Sequence, residues 1–340
     1  MTETQKNRES ITLPLIFPLA LALILSLAAS LYGMRWVQQQ NTNRHMYDEA
    51  LSGQQLFRFL LATQVKQLQK RVEILQADSA LQEAFLAREH SRIQKVLSRP
   101  APKVVGASGM GQLFFVDAER RLVFSADNHA VTGEVLEHQT LGQASRTHEM
   151  AYGLELERDG RFLLRVAVPW SIAGGGAGYV EMSQDIGLLV PKLKEVLGCE
   201  IFITAKKAGV DQKQWADEAG AGHRAGSWQE MAECVVLART MPAVPGELCA
   251  ALMVGSPQGF VRTLDFRMGK RHFRGSFIDL LDPAQQNIGA LVMLKDVTSE
   301  VVSLWAMAFY LGGVGLAVAV LLFLFFYWSQ KRLKPPPLGG

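Results

Sequence analysis

Uncharged apolar residues fill two long runs, one near each end of the chain, and these runs dominate its hydrophobic pattern. The first run spans residues 10–34 and the second spans residues 301–330. A helix needs about 20 apolar residues to cross a bilayer core of roughly 30 Å, and both runs reach that length. The pattern predicts transmembrane helices at 12–34 and 304–328, with one large module, 35–303, between them.

Basic residues flank the two runs on the sides that face away from the central module. Lys6 and Arg8 precede the first run, and three basic residues within 331–334 follow the second. Cytoplasmic flanks are enriched in Lys and Arg, so the tails 1–11 and 329–340 are expected in the cytoplasm. The central module is then periplasmic, and the protein is a two-pass protein of the inner membrane. The alternative for the first run is a cleaved signal peptide.

Helical periodicity begins directly after the first run. Apolar residues recur at spacings of three, four and seven between residues 36 and 77, which predicts a long amphipathic stalk helix. Such a helix would pair with a partner chain, lie along its own domain, or do both. A second helix is predicted from Ser79, with Gln82 completing a capping box, to about Leu97. These stalk helices together occupy 36–98.

Alternating apolar and polar residues predict strands through most of the remaining module. One helix, Ile186–Leu197, interrupts them, and a short helix is predicted over Pro245–Met253. The fold class is therefore α+β, with mostly antiparallel sheets. The predicted strands are Leu113–Asp117, Arg121–Ser125, Gly153–Glu157, Arg161–Val168, Gly178–Met182, Glu200–Thr204, Cys234–Arg239, Leu264–Met268, His272–Leu280 and Ile288–Lys295.

An internal repeat of about 110 residues organises these strands. The segment that runs from Gly178 to Asp185 aligns with the segment from Gly289 to Asp296, with the same spacing between glycine and aspartate. Both aspartates are expected to cap the helix that follows. The repeat predicts two tandem modules, a distal one at 99–190 and a membrane-proximal one at 191–300.

Composition and motifs narrow the function classes. The net charge of +3 is too weak and too dispersed to indicate nucleic-acid binding. No hydrolase elbow, phosphate loop or zinc-binding helix is present, so we expect no enzyme activity, cofactor or metal. The three cysteines match no metal motif. They are expected to be buried hydrophobic residues, with a Cys234–Cys249 disulfide as the alternative.

Four signatures, taken in order, resemble the double Cache family of extracellular sensors, in the branch found on bacterial sensor kinases and chemoreceptors. The resemblance covers roughly residues 36–303. The signatures are the long helix after the first run, the segment Gly153–Pro169, the segment Gly178–Trp215, and the segment Ile288–Val297 that leads into the second run.

The resemblance implies two PAS-like modules, a small-molecule pocket in the distal one, a homodimer, and a signal passed through the second span. Members commonly carry a cytoplasmic output domain, whereas this sequence stops ten residues past the second run, at Gly340. Output is then expected from a separate cytoplasmic protein, or the chain is a fragment of a longer receptor. Members also carry Arg-x-His-x-Pro where this chain reads Ser125–His129, which leaves the ligand open.

Candidate ligand-binding residues lie on the predicted distal sheet. Arg165 stands between apolar neighbours and is expected to face inward, paired with Glu155 on the adjacent strand or with a ligand. Trp170 would stack on a ligand or cap the sheet, and Asn128 and His129 are weaker candidates. An open, polar pocket would favour a solute sensor, whereas a pocket filled by side chains would favour a module that binds a periplasmic protein.

Overall fold

The computed structural model describes most of the central module and the C-terminal helix. One compact unit comprises residues 48–269 and 273–296, and the second contains the C-terminal helix. Much of the first apolar run, and with it the predicted first span, lies outside the described residues. The described residues are 48, 50–98, 110–126, 132–172, 176–220, 226–246, 248–249 and 262–332, with single positions between 25 and 36.

Three helices precede the first strand of the larger unit. Helix α1 is described over residues 50–76, inside the predicted stalk helix, and its buried residues follow the predicted period. The second predicted helix is in fact two, α2 (Ser79–Leu86) and α3 (His90–Leu97). Arg88, at a φ of 52°, breaks the helix between them. The N-cap of α2 is Asp78 rather than Ser79, because the Asp78 carboxylate accepts from the Leu81 amide at 3.1 Å.

Two five-stranded antiparallel sheets follow, and they have the same topology. The first has the strand order β2-β1-β5-β4-β3 and the second has the order β7-β6-β10-β9-β8. Strand for strand the orders correspond, which agrees with the predicted repeat. The strands are β1 (Met110–Asp117), β2 (Leu122–Ser125), β3 (Ala151–Leu156), β4 (Phe162–Ile172), β5 (Gly176–Asp185), β6 (Glu200–Lys206), β7 (Cys234–Arg239), β8 (Arg262–Met268), β9 (Arg271–Leu281) and β10 (Asn287–Asp296).

The repeated glycines have the same structural role in both sheets. A Cβ at Gly178 would overlap a backbone carbonyl of β1 and come within 2.8 Å of the Phe85 ring. A Cβ at Gly289 would likewise overlap a carbonyl of β6 and come within 2.8 Å of the Phe162 ring. Glycine lets the neighbouring backbone and an aromatic ring approach the strand closely. Of the repeated aspartates, Asp185 caps the following turn by accepting from the Gly187 amide at 2.7 Å.

The remaining helices connect and cover the strands. Helix α4 (Gln139–Thr147) was not predicted, and it packs on β3 and β4. The predicted helix Ile186–Leu197 is a 3₁₀ turn, Ile186–Leu189, followed by α5 (Val190–Leu197). Helix α6 spans Gln212–Gly220. Only residues 248–249 of the predicted helix at Pro245–Met253 are described as helical.

The cysteine prediction requires a correction. Cys234 and Cys249 form a disulfide with a Cα–Cα distance of 5.9 Å, instead of packing as reduced hydrophobic residues. Both are buried beside Met231 in the core of the second sheet. Disulfides persist in oxidising compartments, so the bridge agrees with an exported module.

The second unit contains a long apolar helix, α7 (Thr298–Arg332). Its segment Thr298–Leu321 has a mean hydropathy of 2.0 and no part of it is buried. Among the described residues it is the one helix long and apolar enough to cross a membrane.

Candidate ligand site

An arginine lies at the centre of the first sheet. Arg165 is on β4, where strand pairing places it between Gly153 of β3 and Ser183 of β5. Its side chain is completely buried, as the alternation of apolar neighbours predicted. Because burial of an unpaired charge is costly, its partners define the chemistry of this face.

Three carboxylates and one amide surround the Arg165 guanidinium. Its Nη1 donates to Glu181 Oε1 at 2.6 Å, and its Nη2 donates to Gln112 Oε1 at 3.0 Å and to Glu157 Oε1. Glu155 Oε2 lies 3.6 Å from Nε, which places the predicted partner in the cluster as the most distant of the three acids. We call these residues, together with His138, the Arg165 cluster.

Helix α4 is tied to this cluster at its first turn. His138 Nδ1 lies 2.7 Å from Glu181 Oε1, and the Thr140 amide donates to Glu155 Oε1 at 2.7 Å. Leu141 and Ala144 of α4 pack against apolar residues on the same face of the sheet. The helix therefore covers the cluster and shares its hydrogen bonds.

The electrostatics of the cluster are dominated by mutual pairing. Burial alone would raise the pKa of Glu181, but the charges and hydrogen bonds of His138 and Arg165 outweigh burial and hold that pKa below its usual value. Burial would lower the pKa of His138, yet the facing Glu181 carboxylate raises it overall. Burial opposes the charge of Arg165 too, and the three carboxylates raise its pKa. Glu181 is thus ionised, and His138 binds its proton more firmly than a free imidazole.

Some hydrogen-bonding capacity in the cluster is unused. Glu181 Oε2, Thr140 Oγ1 and Arg165 Nε are buried, and none has a hydrogen-bond partner among the described residues. Buried polar atoms are normally satisfied, so three such atoms in one cluster require an explanation. One explanation is a bound molecule that supplies the missing donors and acceptors.

The structure separates the predicted site residues. Trp170 lies on the opposite face of the sheet from Arg165, in the core with the rings of Phe85 and Phe115, at centroid distances of 4.9 and 5.7 Å. Trp170 is therefore not placed to stack on a ligand bound beside Arg165. The sequence already indicated this, because Arg165 and Trp170 are five residues apart on one strand and so point to opposite faces of the sheet. Asn128 and His129 lie outside the described residues.

Sequence reasoning missed four members of the cluster. Glu181 on β5 pairs with Ala167, which lies two residues from Arg165 on β4 and so shares its face of the sheet. Glu181 was therefore recognisable as a neighbour of Arg165 once the two strands were paired. Glu157 follows β3 at the same parity as Glu155, and Gln112 is on β1. His138 carries no local signal, because it is 43 residues from Glu181 and precedes a helix that apolar periodicity does not reveal.

The fold consists of two tandem modules of one topology, each an antiparallel sheet with flanking helices, and the first contains a buried charged cluster. A family model described as the double sensory domain of two-component sensor kinases, a dCache family, matches residues 45–301. The chain belongs to this double Cache family. The matched region is a sensory domain rather than a catalytic one. No match was found among curated proteins.

Several solved structures are similar to the chain at low identity. The periplasmic domain of Vibrio cholerae LuxQ is 12% identical with a TM-score of 0.44, over 73% of this chain and 99% of that one. The sensor domain of the V. cholerae histidine kinase DctB is 12% identical with a TM-score of 0.43, over 74% and 98%. The ligand-binding domain of the Pseudomonas aeruginosa chemoreceptor PctC, solved with GABA, is 12% identical with a TM-score of 0.37, over 75% and 98%.

Proposed function

We propose that the protein is a membrane-anchored receptor subunit that binds a small extracytoplasmic solute in its first module, between the sheet and α4. The observation that supports this most is the set of unsatisfied atoms in the Arg165 cluster. A solute that hydrogen-bonds to Glu181 Oε2 and Thr140 Oγ1 would satisfy groups that are otherwise buried without partners.

Entry of a solute requires α4 to move, because the cluster is closed in this conformation. Two hydrogen bonds, His138–Glu181 and Thr140–Glu155, connect the start of α4 to the sheet. A solute that replaces these bonds would favour one position of α4 over another, and binding would shift that equilibrium. Selection between two positions of α4 is the input step of the proposed receptor.

The proposed receptor has the topology that the sequence predicts. It spans the inner membrane twice, through residues 12–34 and 304–328, with both termini cytoplasmic and the sensor periplasmic. It acts as a homodimer, and Phe59 and Ile74, which are exposed on α1, are the residues offered to the partner. A separate cytoplasmic protein receives the signal.

A thermal-shift screen of the full-length protein in detergent tests the solute hypothesis. The library consists of amino acids, organic acids, amines and nucleobases, and a ligand raises the unfolding temperature by mass action. The Thr140→Val variant is the site-specific probe, because valine keeps the shape of threonine and removes the unsatisfied hydroxyl. We expect Thr140→Val to be at least as stable as the wild type and to lose most of the solute-induced shift.

The control is Thr63→Val on α1, where the threonine hydroxyl bonds to the Phe59 carbonyl within the helix. This variant should retain the full solute response. If no solute stabilises the wild type, the sensor hypothesis fails. If Thr140→Val responds as the wild type does, the solute binds elsewhere and the proposed position under α4 is wrong.

A second candidate function is a module that binds a periplasmic protein. The observation in its favour is that the Arg165 and Glu181 side chains are completely buried and are already paired with each other. Tyr152 is 57% exposed on β3, at the edge of the first sheet, and would be a contact residue. A photo-crosslinking amino acid at position 152 in intact cells would distinguish this function by capturing one specific protein while the solute screen stays negative.

A further inference from the structure

A second polar site adjoins the Arg165 cluster at His138, which is one of the residues that line an open groove of about 570 Å³. Its walls come from the β1–β2 turn, from α4, and from the β9–β10 turn of the second sheet at Pro283 and Ala284. The two modules touch beside it, because Gln139 Nε2 donates to Asp282 Oδ2 at 3.0 Å. Small-molecule sites commonly have volumes of roughly 300–1,000 Å³, so the groove has the capacity for a small solute.

Two arginines converge on one point of this groove. Arg120 Nη1 lies 3.5 Å, and Arg146 Nη1 lies 3.6 Å, from the position that a Cβ on Gly142 would occupy. Within the described part of the chain, neither guanidinium has an ion-pair or hydrogen-bond partner. Two unpaired cations side by side repel each other, and an anion between them would replace that repulsion by attraction.

The backbone holds one of these arginines in place. Arg120 has a φ of 63° in the β1–β2 turn, its amide donates to the Asp117 carbonyl at 3.0 Å, and its carbonyl accepts from the Leu136 amide at 3.0 Å. A bulky residue rarely adopts this left-handed conformation, so the surrounding turn must hold Arg120 in it. Arg146 is carried by the last turn of α4. Both guanidinium groups are therefore presented by defined elements.

The remaining groove residues match an anionic ligand. Gln143 offers an amide donor on α4, whereas the Gln139 amide already donates to Asp282 and the Thr147 hydroxyl to the Gln143 carbonyl. Glu137 is the one acidic residue in the described lining. Gly142 is the reason that the space between the guanidinium groups is open, because any side chain there would enter it. The two arginine charges thus exceed the one acidic charge in the described lining.

We propose that this groove binds a small solute through a carboxylate or phosphate group, held between Arg120 and Arg146. Planar guanidinium groups recognise both oxyanions through paired hydrogen bonds. Because residues from both modules line the groove, a bound anion would favour the arrangement in which the β9–β10 turn lies beside α4. His138 borders both this groove and the Arg165 cluster. The anion position between Arg120 and Arg146 is nevertheless distinct from the proposed solute position at Glu181 and Thr140, and either can be present without the other.

Binding of two probe anions to the full-length protein in detergent tests the proposal. Succinate and inorganic phosphate are titrated separately by calorimetry at constant ionic strength, with succinamide as the uncharged counterpart of succinate. We expect one of the two anions to bind and succinamide not to bind. The Arg120→Gln/Arg146→Gln variant should lose affinity by about a hundredfold, at roughly tenfold for each charged hydrogen-bonding partner.

The control removes the same charge elsewhere. Arg58→Gln/Arg71→Gln, on α1, should retain wild-type affinity, which excludes a general loss of positive potential. Absence of binding for both anions at millimolar concentrations would overturn the proposal, and so would equal affinity in the two double variants. Thr140→Val should bind the anion normally, so failure here is distinguishable from failure of the solute site under α4.

A substitution at Gly142 provides an independent test. Gly142→Asp places a carboxylate on the Cβ that both guanidinium groups face at 3.5 and 3.6 Å, and it should act as a built-in ligand. We expect it to abolish anion binding and to unfold at a higher temperature than Gly142→Asn, which has the same shape without the charge. Equal unfolding temperatures of the two variants, with anion binding retained in Gly142→Asp, would refute the proposed position of the anion.

Discussion

Replacement of Arg165 by methionine should destabilise the first module severely. Methionine fills much of the arginine volume but cannot neutralise Glu181, whose carboxylate is fully buried. Removal of one partner from a buried ion pair typically costs about 3–5 kcal/mol, because it leaves a poorly compensated charge in the interior. His138, 2.7 Å from Glu181 Oε1, remains as a positive partner only while it is protonated. The remaining acids of the cluster, Glu155 and Glu157, are partly exposed and can recover some hydration, so Glu181 sets the magnitude.

Thermal unfolding of the full-length protein in detergent, followed by circular dichroism, measures this cost. For a domain of this size about 1 kcal/mol corresponds to roughly 2–4 °C, so Arg165→Met should lower the unfolding temperature by about 6–20 °C. The matched control is Arg161→Met, because Arg161 is near the surface and pairs with Asp159 at 2.7 Å. Pairs of that kind contribute about 0.2–1 kcal/mol, so the control should change the unfolding temperature by less than about 4 °C.

The pH dependence of the loss gives a second readout. Without Arg165, burial should raise the pKa of Glu181, and the carboxyl then avoids its charge by taking up a proton in acid. The destabilisation of Arg165→Met should therefore be larger at pH 8 than at pH 5. If Arg165→Met and Arg161→Met lower the unfolding temperature equally, the cluster is hydrated in solution and the reasoning from burial is wrong.

Three further predictions concern the pH dependence, the repeat and the disulfide. The pKa of His138 is raised in the folded state, so its contribution to the free energy of unfolding is complete below the unfolded pKa of 6.5 and is lost as pH rises through the folded pKa. His138→Asn should therefore lower the free energy of unfolding by about 1.5–3 kcal/mol at pH 5.5 and by clearly less at pH 9. A loss of stability that is independent of pH would contradict the pairing with Glu181. Gly289→Ala should cost about 1–3 kcal/mol, because the new methyl overlaps a strand carbonyl, whereas Gly246→Ala, with no atom within 4 Å, should be neutral in urea unfolding. Cys249→Ser should lower the free energy of unfolding by about 3 kcal/mol, because it removes a disulfide that closes a short loop. Reductant should lower the unfolding temperature of the wild type to that of the variant. No effect of reductant on the wild type would be inconsistent with the disulfide.

Strand periodicity predicted the buried arginine of the candidate site and one of its partners, but not the other acids that contact it. An arginine among apolar neighbours on a strand identifies a buried charge, and Glu155 was correctly placed beside it. Which other acids reach that charge depends on the strand order. Glu181 is near Arg165 because β5 pairs directly with β4 in a register that places Ala167 opposite Glu181 and Arg165 opposite Ser183.

The sequence by itself determined the elements whose signals are short-ranged. Apolar periodicity specified α1 and the strands, and the repeated glycine-to-aspartate spacing indicated two tandem modules. A close backbone approach explains why both repeats have glycine, at Gly178 and Gly289. Run length and apolar composition likewise specified α7 as a helix capable of crossing a membrane.

Only the tertiary structure decided which distant side chains meet. It brought His138 to Glu181, joined Cys234 to Cys249, and placed Arg120 beside Arg146. It also placed Trp170 on the face of the first sheet that packs against Phe85 of α2, opposite the face covered by α4. The physical reason is that local periodicity fixes which way a residue points on its own strand or helix, whereas the energies of charge pairing and burial depend on neighbours supplied by other strands and helices.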